Sequence, residues 1–566
     1  MPKQWDKNDG AFHLGINMAG AVSAGAYTAG VLDFLIEAIE EWYKAKALPS
    51  PAVPMHDISI DVFSGASAGG MCAAIAAAMV QGPFQHIHDP ADDKIVGTTN
   101  KFYESWVNRI DIEYLLSDRD LGPGKPVVSM LDSTIIDEIA DYALTPGPPA
   151  KHPSYIADSL TLFLTLTNVR GTPFPLSGDA TGSAEETIRY YADRLQFETV
   201  SSPTSQPLFP LAKPLPIGSD KDAWPLLKEA AKATGAFPLF LAPRKIDRAV
   251  ADYLNSPWAT ISDPLPEQVD PAWPLTPTGT FTTLNVDGGV TDNDPFQLAH
   301  DYLAIHNPLA QPGTCGDGLH NPPAQNQANA AVLTVAPFPA HDLYNPDYDF
   351  NENSSILGML PNLMTALISQ SRFQGESLTS VINTKSYSRF VLAPSDFKNP
   401  GKDALQCGLL GAFGGFFERG FRAHDYQLGR RNCQRFLEKT FRLTIDNPII
   451  AAGLAQVEDS DGVIGDFRSP EAEPVRTLPI IPLCGSARPE VPNPAHAKID
   501  ANRLDQIVDW IVKRLQAVSG PLLASVTRHE WEKVAAEAVV HKLISDWGRA
   551  RITEYLNKGL QGVIRD

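Results

Sequence analysis

Apolar residues change their spacing from segment to segment along this chain, and each spacing predicts an element. Residues 11–18 (AFHLGINM) are an apolar run of strand length, followed by a turn of small residues, AGAVSAGA. Val31, Leu32, Leu35, Ile36 and Ile39 then fall at helical spacing, which predicts a helix from about Tyr27 to Lys46. A Pro-rich loop, 48–54, leads into a second short strand through Ile58, Ile60, Val62 and Phe63. A glycine turn and a helix of very small residues, running to Val80, come next. Strand, turn, helix, loop, strand, turn, helix is the opening of a layered α/β fold.

Further on, 131–144 (LDSTIIDEIADYAL) reads as a helix, and a strong strand starts at Tyr155 or Leu160 and runs to Val169. Residues 172–220 are rich in Pro, Ser and Thr and read as a long surface excursion. Trp224–Thr234 is helical and stops at Gly235-Ala236-Phe237-Pro238. A second Pro-rich insertion (256–279) precedes a strand over Thr280–Val286, which runs into Asp287-Gly288-Gly289. A helix over Gln297–Ile305 and a buried-type strand over Ala331–Ala336 follow. Beyond these the pattern predicts a helix over Ile356–Gln374, a strand over Ser386–Leu392, a glycine-rich turn at Gly408–Gly415 and a basic helix over Phe416–Phe441. The last hundred residues are helical. There Leu504, Ile507, Val508, Ile511, Val512 and Leu515 make a stripe one face wide, the pattern of core packing.

Composition narrows the classes. The chain has 566 residues, 43% of them hydrophobic and 20% charged, which suits a globular protein with a sizeable core. Its net charge of −20 argues against nucleic-acid binding, which needs a basic footprint, and disfavours whole-surface attraction to anionic membranes. Five cysteines at positions 72, 315, 407, 433 and 484 are scattered, with no C-x-x-C, so neither a disulfide framework nor a cysteine-ligated zinc site is expected. No cationic segment followed by an apolar run opens the chain, and no run of about 18 apolar residues is free of charge. The expectation is a cytoplasmic protein, with export by a signal-free route left open.

Candidate chemistry concentrates at Gly65-Ala66-Ser67-Ala68-Gly69, a G-x-S-x-G with a strand before it and a helix after it. On such a strained turn a serine projects its hydroxyl away from the sheet, and side chains at 65 and 69 would clash with the crossing backbone. The helix beginning at Ala68 points its N-terminal amides at the place where an oxyanion would form. Two weaker candidates read as structural. His86-Ile87-His88-Asp89 sits between Gly82-Pro83 and Pro90, as in an exposed loop more than a metal site. Arg419, Arg422, Arg430, Arg431 and Arg435 suit a helix salt-bridged to an acidic chain better than a phosphate site. Gly408–Gly415 carries no lysine-bearing phosphate loop.

Three places together resemble the patatin-like phospholipases: the elbow at 65–70; Val286-Asp287-Gly288-Gly289-Val290 with Asn293 and Pro295 behind it; and Asn17–Leu32, similar to the family's glycine-rich oxyanion loop and first helix. Thr167–Gly171 and Thr234–Pro243 are fainter echoes in the right order, and 422–436 is similar to the C-terminal extension of larger bacterial members. The resemblance implies a three-layer α/β/α domain over 10–340, with a mostly parallel sheet and helices on both faces. It further implies an extension packed on that domain (341–445) and a mostly helical C-terminal region (446–566).

By the same resemblance Ser67 is the nucleophile and Asp287 the base that acts on it directly, with no histidine, metal or organic cofactor. Gly65, Gly69, Gly288 and Gly289 shape the turns, and amides of Gly20, Ala21 or Val22, with Ala68, form the oxyanion hole. The implied activity is hydrolysis of phospholipid or other lipid acyl esters, of the phospholipase A or lysophospholipase kind, with room for peripheral membrane contact. The oxyanion loop departs from the family pattern. Gly20-Ala21-Val22-Ser23-Ala24-Gly25 lacks two glycines and a basic residue, and the β-branched Val22 is expected to resist a positive φ. Two rivals stand beside this reading. One is an α/β-hydrolase with a Ser-Asp-His triad, for which His300, His306, His341 and His424 are available, although its elbow normally follows more than two strands. The other is a catalytically inactive lipid- or partner-binding relative.

Overall fold

A computed structural model describes residues 4–6, 9–92, 94–122, 125–145, 152–175, 187–201, 205–207, 209, 211–217, 224–254, 270–273, 275–276, 278–313, 318–338, 350, 359, 386–396, 404–468, 476–526 and 540–565. Its first strand, β1 (Ala11–Met18), is buried on both faces, as its unbroken apolar run requires of a central parallel strand. Phe12, Leu14, Ile16 and Met18 join a large core with the helices α1 (Gly25–Lys46) and α2 (Ser67–Met79). On the opposite face Val62, Phe163, Ala330 and Val332 pack beneath the helix Phe296–His306. The result is a sheet between two helical layers.

β1 lies between β2 (Asp57–Gly65) and the strand Ala330–Val335, parallel to both, and Arg389–Leu392 pairs parallel beyond the latter. On the other side β2 pairs parallel with β3 (Ile156–Pro175). β4 (Thr187–Val200) pairs antiparallel with β3, and β5 (Lys213–Pro216) lies parallel to β4. β6 (Arg244–Ala249) and β7 (Thr280–Asp287) form an antiparallel pair that joins the sheet through β3. The mixed sheet with helices on both faces is the expected fold class, and helices of the C-terminal region, Ala501–Val526 and Arg549–Gly559 among them, are present.

One sequence expectation needs correction, and one strand carried no expectation. The stretch 172–220, read as a surface excursion, contains the end of β3, β4 and β5. Its polar composition hid the strands because β4 exposes Thr187–Tyr191 and gains its pairing from β3, not from a buried local pattern. β6 had no apolar signature at all; of its six residues only Ile246 is buried. The helix expected over Ile356–Gln374 lies almost wholly outside the described residues.

The basic helix Arg419–Lys439 is not a solvated face. It lies against α1 so closely that a Cβ on Gly30 would sit 2.0 Å from the Tyr426 carbonyl oxygen, and one on Gly429 2.2 Å from that of Tyr27. At this contact Arg430 donates to Asp33 and, at 2.6 Å, to Glu37, all three buried. His86 Nδ1 sits 2.8 Å from Asp33 Oδ1, so the histidine loop is tied to the same cluster. α1 is thus covered by sheet on one side and helix on the other, which explains why nearly its whole circumference is buried.

Candidate active site

β2 ends at Gly65, and the chain leaves the sheet through an extended Ala66 (φ −124°, ψ 147°). Ser67 follows at φ +53°, and α2 begins. A left-handed backbone at a serine costs of order 1–3 kcal/mol and persists only where its surroundings over-determine it. Here the Ala66 N–H donates to Met18 O (3.3 Å), and the Ser67 N–H to Thr234 Oγ1 (3.0 Å). A Cβ on Gly69 would lie 2.1 Å from Met18 O, and one on Gly65 2.7 Å from the Gly69 backbone. A side chain at Gly69 would push α2 off the end of β1, and one at Gly65 would push it off β2.

Asp287 reaches Ser67 through the sheet. β2 last pairs with β3 at Gly65 opposite Leu164; β7 pairs Asp287 opposite Leu166, two residues further on. Over the same stretch β4 occupies the other edge of β3. β7 therefore takes the edge that β2 vacates at the elbow, and its last residue lands beside the serine. Ser67 Oγ donates to Asp287 Oδ2 at 2.6 Å, and the Gly289 N–H to Oδ1 at 2.7 Å. The main chain of Asp287 is clamped as well: its N–H donates to Ala236 O (2.9 Å), and Thr167 Oγ1 donates to its carbonyl (2.8 Å). Gly288 passes so close to Thr165 that a Cβ would fall 2.2 Å from its carbonyl oxygen.

Asp287 is 3% exposed. Burial penalises its charged form and pushes its pKa up to about 7, against the opposing pull of the two hydrogen bonds. A carboxylate of that basicity, bonded to a serine hydroxyl, is equipped to accept the serine proton near neutral pH.

The histidines considered for a triad lie elsewhere. His300 Nδ1 is 3.2 Å from Asp301 Oδ1, His424 Nδ1 is 2.8 Å from Asp425 Oδ1, and His306 stacks with Trp5. None of the three bonds to Ser67 or Asp287, and His341 is outside the described residues.

The oxyanion loop differs from expectation in two ways. The Gly20 N–H donates to Asn293 O (3.1 Å), so this amide is engaged; Gly20 serves close approach instead, since a Cβ there would sit 2.1 Å from Asn293 Oδ1 and 3.1 Å from Ser67 Cβ. Val22 does adopt a positive φ, +47°, despite its β-branch. No hydrogen bond engages the amides of Ala21, Val22 or Ala68 among the described residues. Of these three residues, Val22 and Ala68 line a cavity with Ser67.

That cavity encloses about 900 Å³, its open mouth included. Its walls are overwhelmingly apolar: Met71 and Ile75 from α2, Trp106 and Ile110, the helix face Ile136–Ala143, Phe237 and Phe240, and Phe413 and Phe416. Lys232, the only charged lining residue among the described residues, is bonded to Glu229 (2.6 Å) and Asp137 (3.1 Å). An apolar hole ending at a serine suits a hydrocarbon chain bearing a reactive carbonyl. Sequence reading had missed Thr234 as the residue that fixes Ser67 and most of this lining. Thr234 lay within one of the fainter echoes, so its signal was present, whereas the lining is gathered from six separate segments and left none.

A sequence model of the family described as patatin-like phospholipase matches residues 17–300. A relative from Sinorhizobium fredii described as "Uncharacterized protein y4iI" is 32% identical over 99% of this chain and 83% of its own length. The crystal structure of VipD from Legionella pneumophila aligns over 96% of this chain and 91% of that one, at 12% identity and a TM-score of 0.21.

Proposed function

Because the chain belongs to the patatin-like phospholipase family, we propose that it cleaves lipid acyl esters through Ser67 and Asp287, in the manner of a phospholipase A or lysophospholipase. The observation that carries the proposal is the 2.6 Å bond from Ser67 Oγ to a buried Asp287 at the end of an apolar cavity.

In the first half-reaction Asp287 Oδ2 takes the serine proton as Oγ bonds to the acyl carbon. The carbonyl oxygen becomes an oxyanion held by the Val22 and Ala68 amides, donors at fixed positions that need no reorganisation as charge develops. Collapse of the tetrahedral species breaks the ester bond, and Asp287 returns its proton to the leaving alkoxide. In the second half water attacks the acyl-serine, Asp287 takes the water's proton and hands it to Ser67 Oγ, and the fatty acid departs. Asp287 suits both directions because burial sets its proton affinity near neutral.

Purified protein incubated with mixed phospholipid vesicles, beside a Ser67→Ala control, tests this reading. Free fatty acid released by the native chain alone is expected. Equal release from the variant, or none from either protein on vesicles and on short-chain nitrophenyl esters alike, would overturn it in favour of another nucleophile or a non-catalytic lipid binder.

A further inference from the structure

Of the five non-glycine residues with positive φ among the described residues, Val22 and Ser67 line the cavity, Leu239 and Ala412 adjoin residues that do, and Leu410 lies on the segment that carries Phe413. Strain concentrated in this way persists only if something holds it. At Ser67 the elbow holds it. At Val22, where the family's glycines are missing, the next residue, Ser23, is bound by the C-terminal extension.

Ser23, wholly buried, is bound four times by the segment 407–415. Its N–H donates to Ala412 O (3.2 Å); its Oγ donates to Ala412 O (2.6 Å), with Cys407 O as a longer second acceptor (3.2 Å); and the Gly415 N–H donates to Oγ (3.1 Å). The contact leaves no slack, since a Cβ on Gly415 would fall 2.7 Å from Ser23 Oγ and 2.5 Å from Cys407 Sγ. The segment is anchored in turn by Asp425 of the helix Arg419–Lys439, whose carboxylate accepts from the Gln406 and Cys407 amides at 2.9 Å each. Phe413 of the same segment lines the cavity.

Resting on the reading of Ser67 and Asp287 above, we propose that Ser23 is the positioning residue of the oxyanion loop. Its hydroxyl and amide, held by Ala412 and Gly415, keep Val22 left-handed and aim the Val22 N–H at the acyl oxygen. The C-terminal extension is then part of the catalytic apparatus, completing from nearly four hundred residues away a loop that lacks the glycines to shape itself. Ser23 touches no reacting atom; it acts through Val22.

A positioning role predicts a loss in kcat without a loss in substrate binding. Ser23→Ala removes the hydroxyl at both its donor and acceptor bonds, and Gly415→Ala disturbs the same latch from the opposite side. Each, measured on a nitrophenyl ester with Ser67→Ala alongside, is expected to lower kcat about 10²-fold, the scale of a displaced or lost oxyanion donor, with KM within about twofold. Circular dichroism and the melting transition check the fold, and if one variant fails to fold the other decides. A folded variant with kcat within about threefold of native overturns the inference, as does a rise in KM that accounts for the whole loss. An inactive Ser67→Ala with an unimpaired Ser23→Ala would remove this inference alone, whereas an active Ser67→Ala would remove the reading beneath it.

Discussion

Asp287→Asn should separate what the acid does for catalysis from what it does to stability. Asparagine keeps the shape: its carbonyl oxygen can accept from the Gly289 N–H, and its amide can donate to Ser67 Oγ where the native hydroxyl now donates to the carboxylate. What the variant loses is the ability to take a proton. Turnover should therefore fall to background, while the native enzyme loses kcat/KM about tenfold per pH unit below about 7, as its base becomes protonated, and levels off above.

Stability should move the other way. The native carboxyl rises from 3.8 to about 7 on folding, so between those values the folded state binds a proton that the unfolded state releases. Its contribution is favourable below about pH 4 and is lost as pH rises through 7. Above 7 the ionised, buried group leaves the fold at most about 4 kcal/mol weaker than the neutral acid would. Asparagine mimics that neutral acid at every pH. Urea denaturation of both proteins from pH 4 to 8 should give curves that nearly coincide in acid and separate by up to about 4 kcal/mol, in favour of the variant, in mild alkali. A difference that does not change with pH, or a variant weaker at pH 8, would refute the assignment of Asp287 as a carboxyl destabilised by its site.

Other consequences can be checked independently. A fluorophosphonate probe should label the native protein at Ser67, and peptide mapping should find no adduct in Ser67→Ala. Alanine at His300 or His424 should leave most of the activity; a loss of about 10³-fold in a folded variant would favour a triad instead. If the apolar cavity receives the acyl chain, kcat/KM on nitrophenyl esters should climb with chain length, by up to about fourfold per methylene at about 0.8 kcal/mol each, until the cavity is filled. A flat series would place the chain elsewhere. Arg430→Ala would strip the guanidinium from buried Asp33 and Glu37, leaving His86 against Asp33, and should cost up to roughly 3–5 kcal/mol in chemical denaturation.

What the sequence determined by itself was local. The apolar run of β1, the small residues of α2 and the glycines around Ser67 are steric facts about a few neighbouring residues, and so they can be read without the fold. The order of elbow and D-G-G motif carried the family, and with it the pairing of Ser67 with Asp287. Tertiary structure decided how that pairing is achieved. Asp287 stands beside the serine because β7 occupies the edge of β3 that β2 leaves, and no spacing along the chain encodes an empty edge. β4 and β6 escaped notice because their partners, not their own residues, make them strands. The proton affinity of Asp287 belongs to its burial, since the same carboxyl in water would titrate near 3.8. The oxyanion loop is the sharpest instance. The β-branch of Val22 argued against a positive φ, yet Val22 is left-handed, because Ala412 and Gly415, nearly four hundred residues on, hold its neighbour Ser23. A residue's own preference for a backbone angle is worth a few kcal/mol, and several hydrogen bonds made by a folded protein can outweigh it.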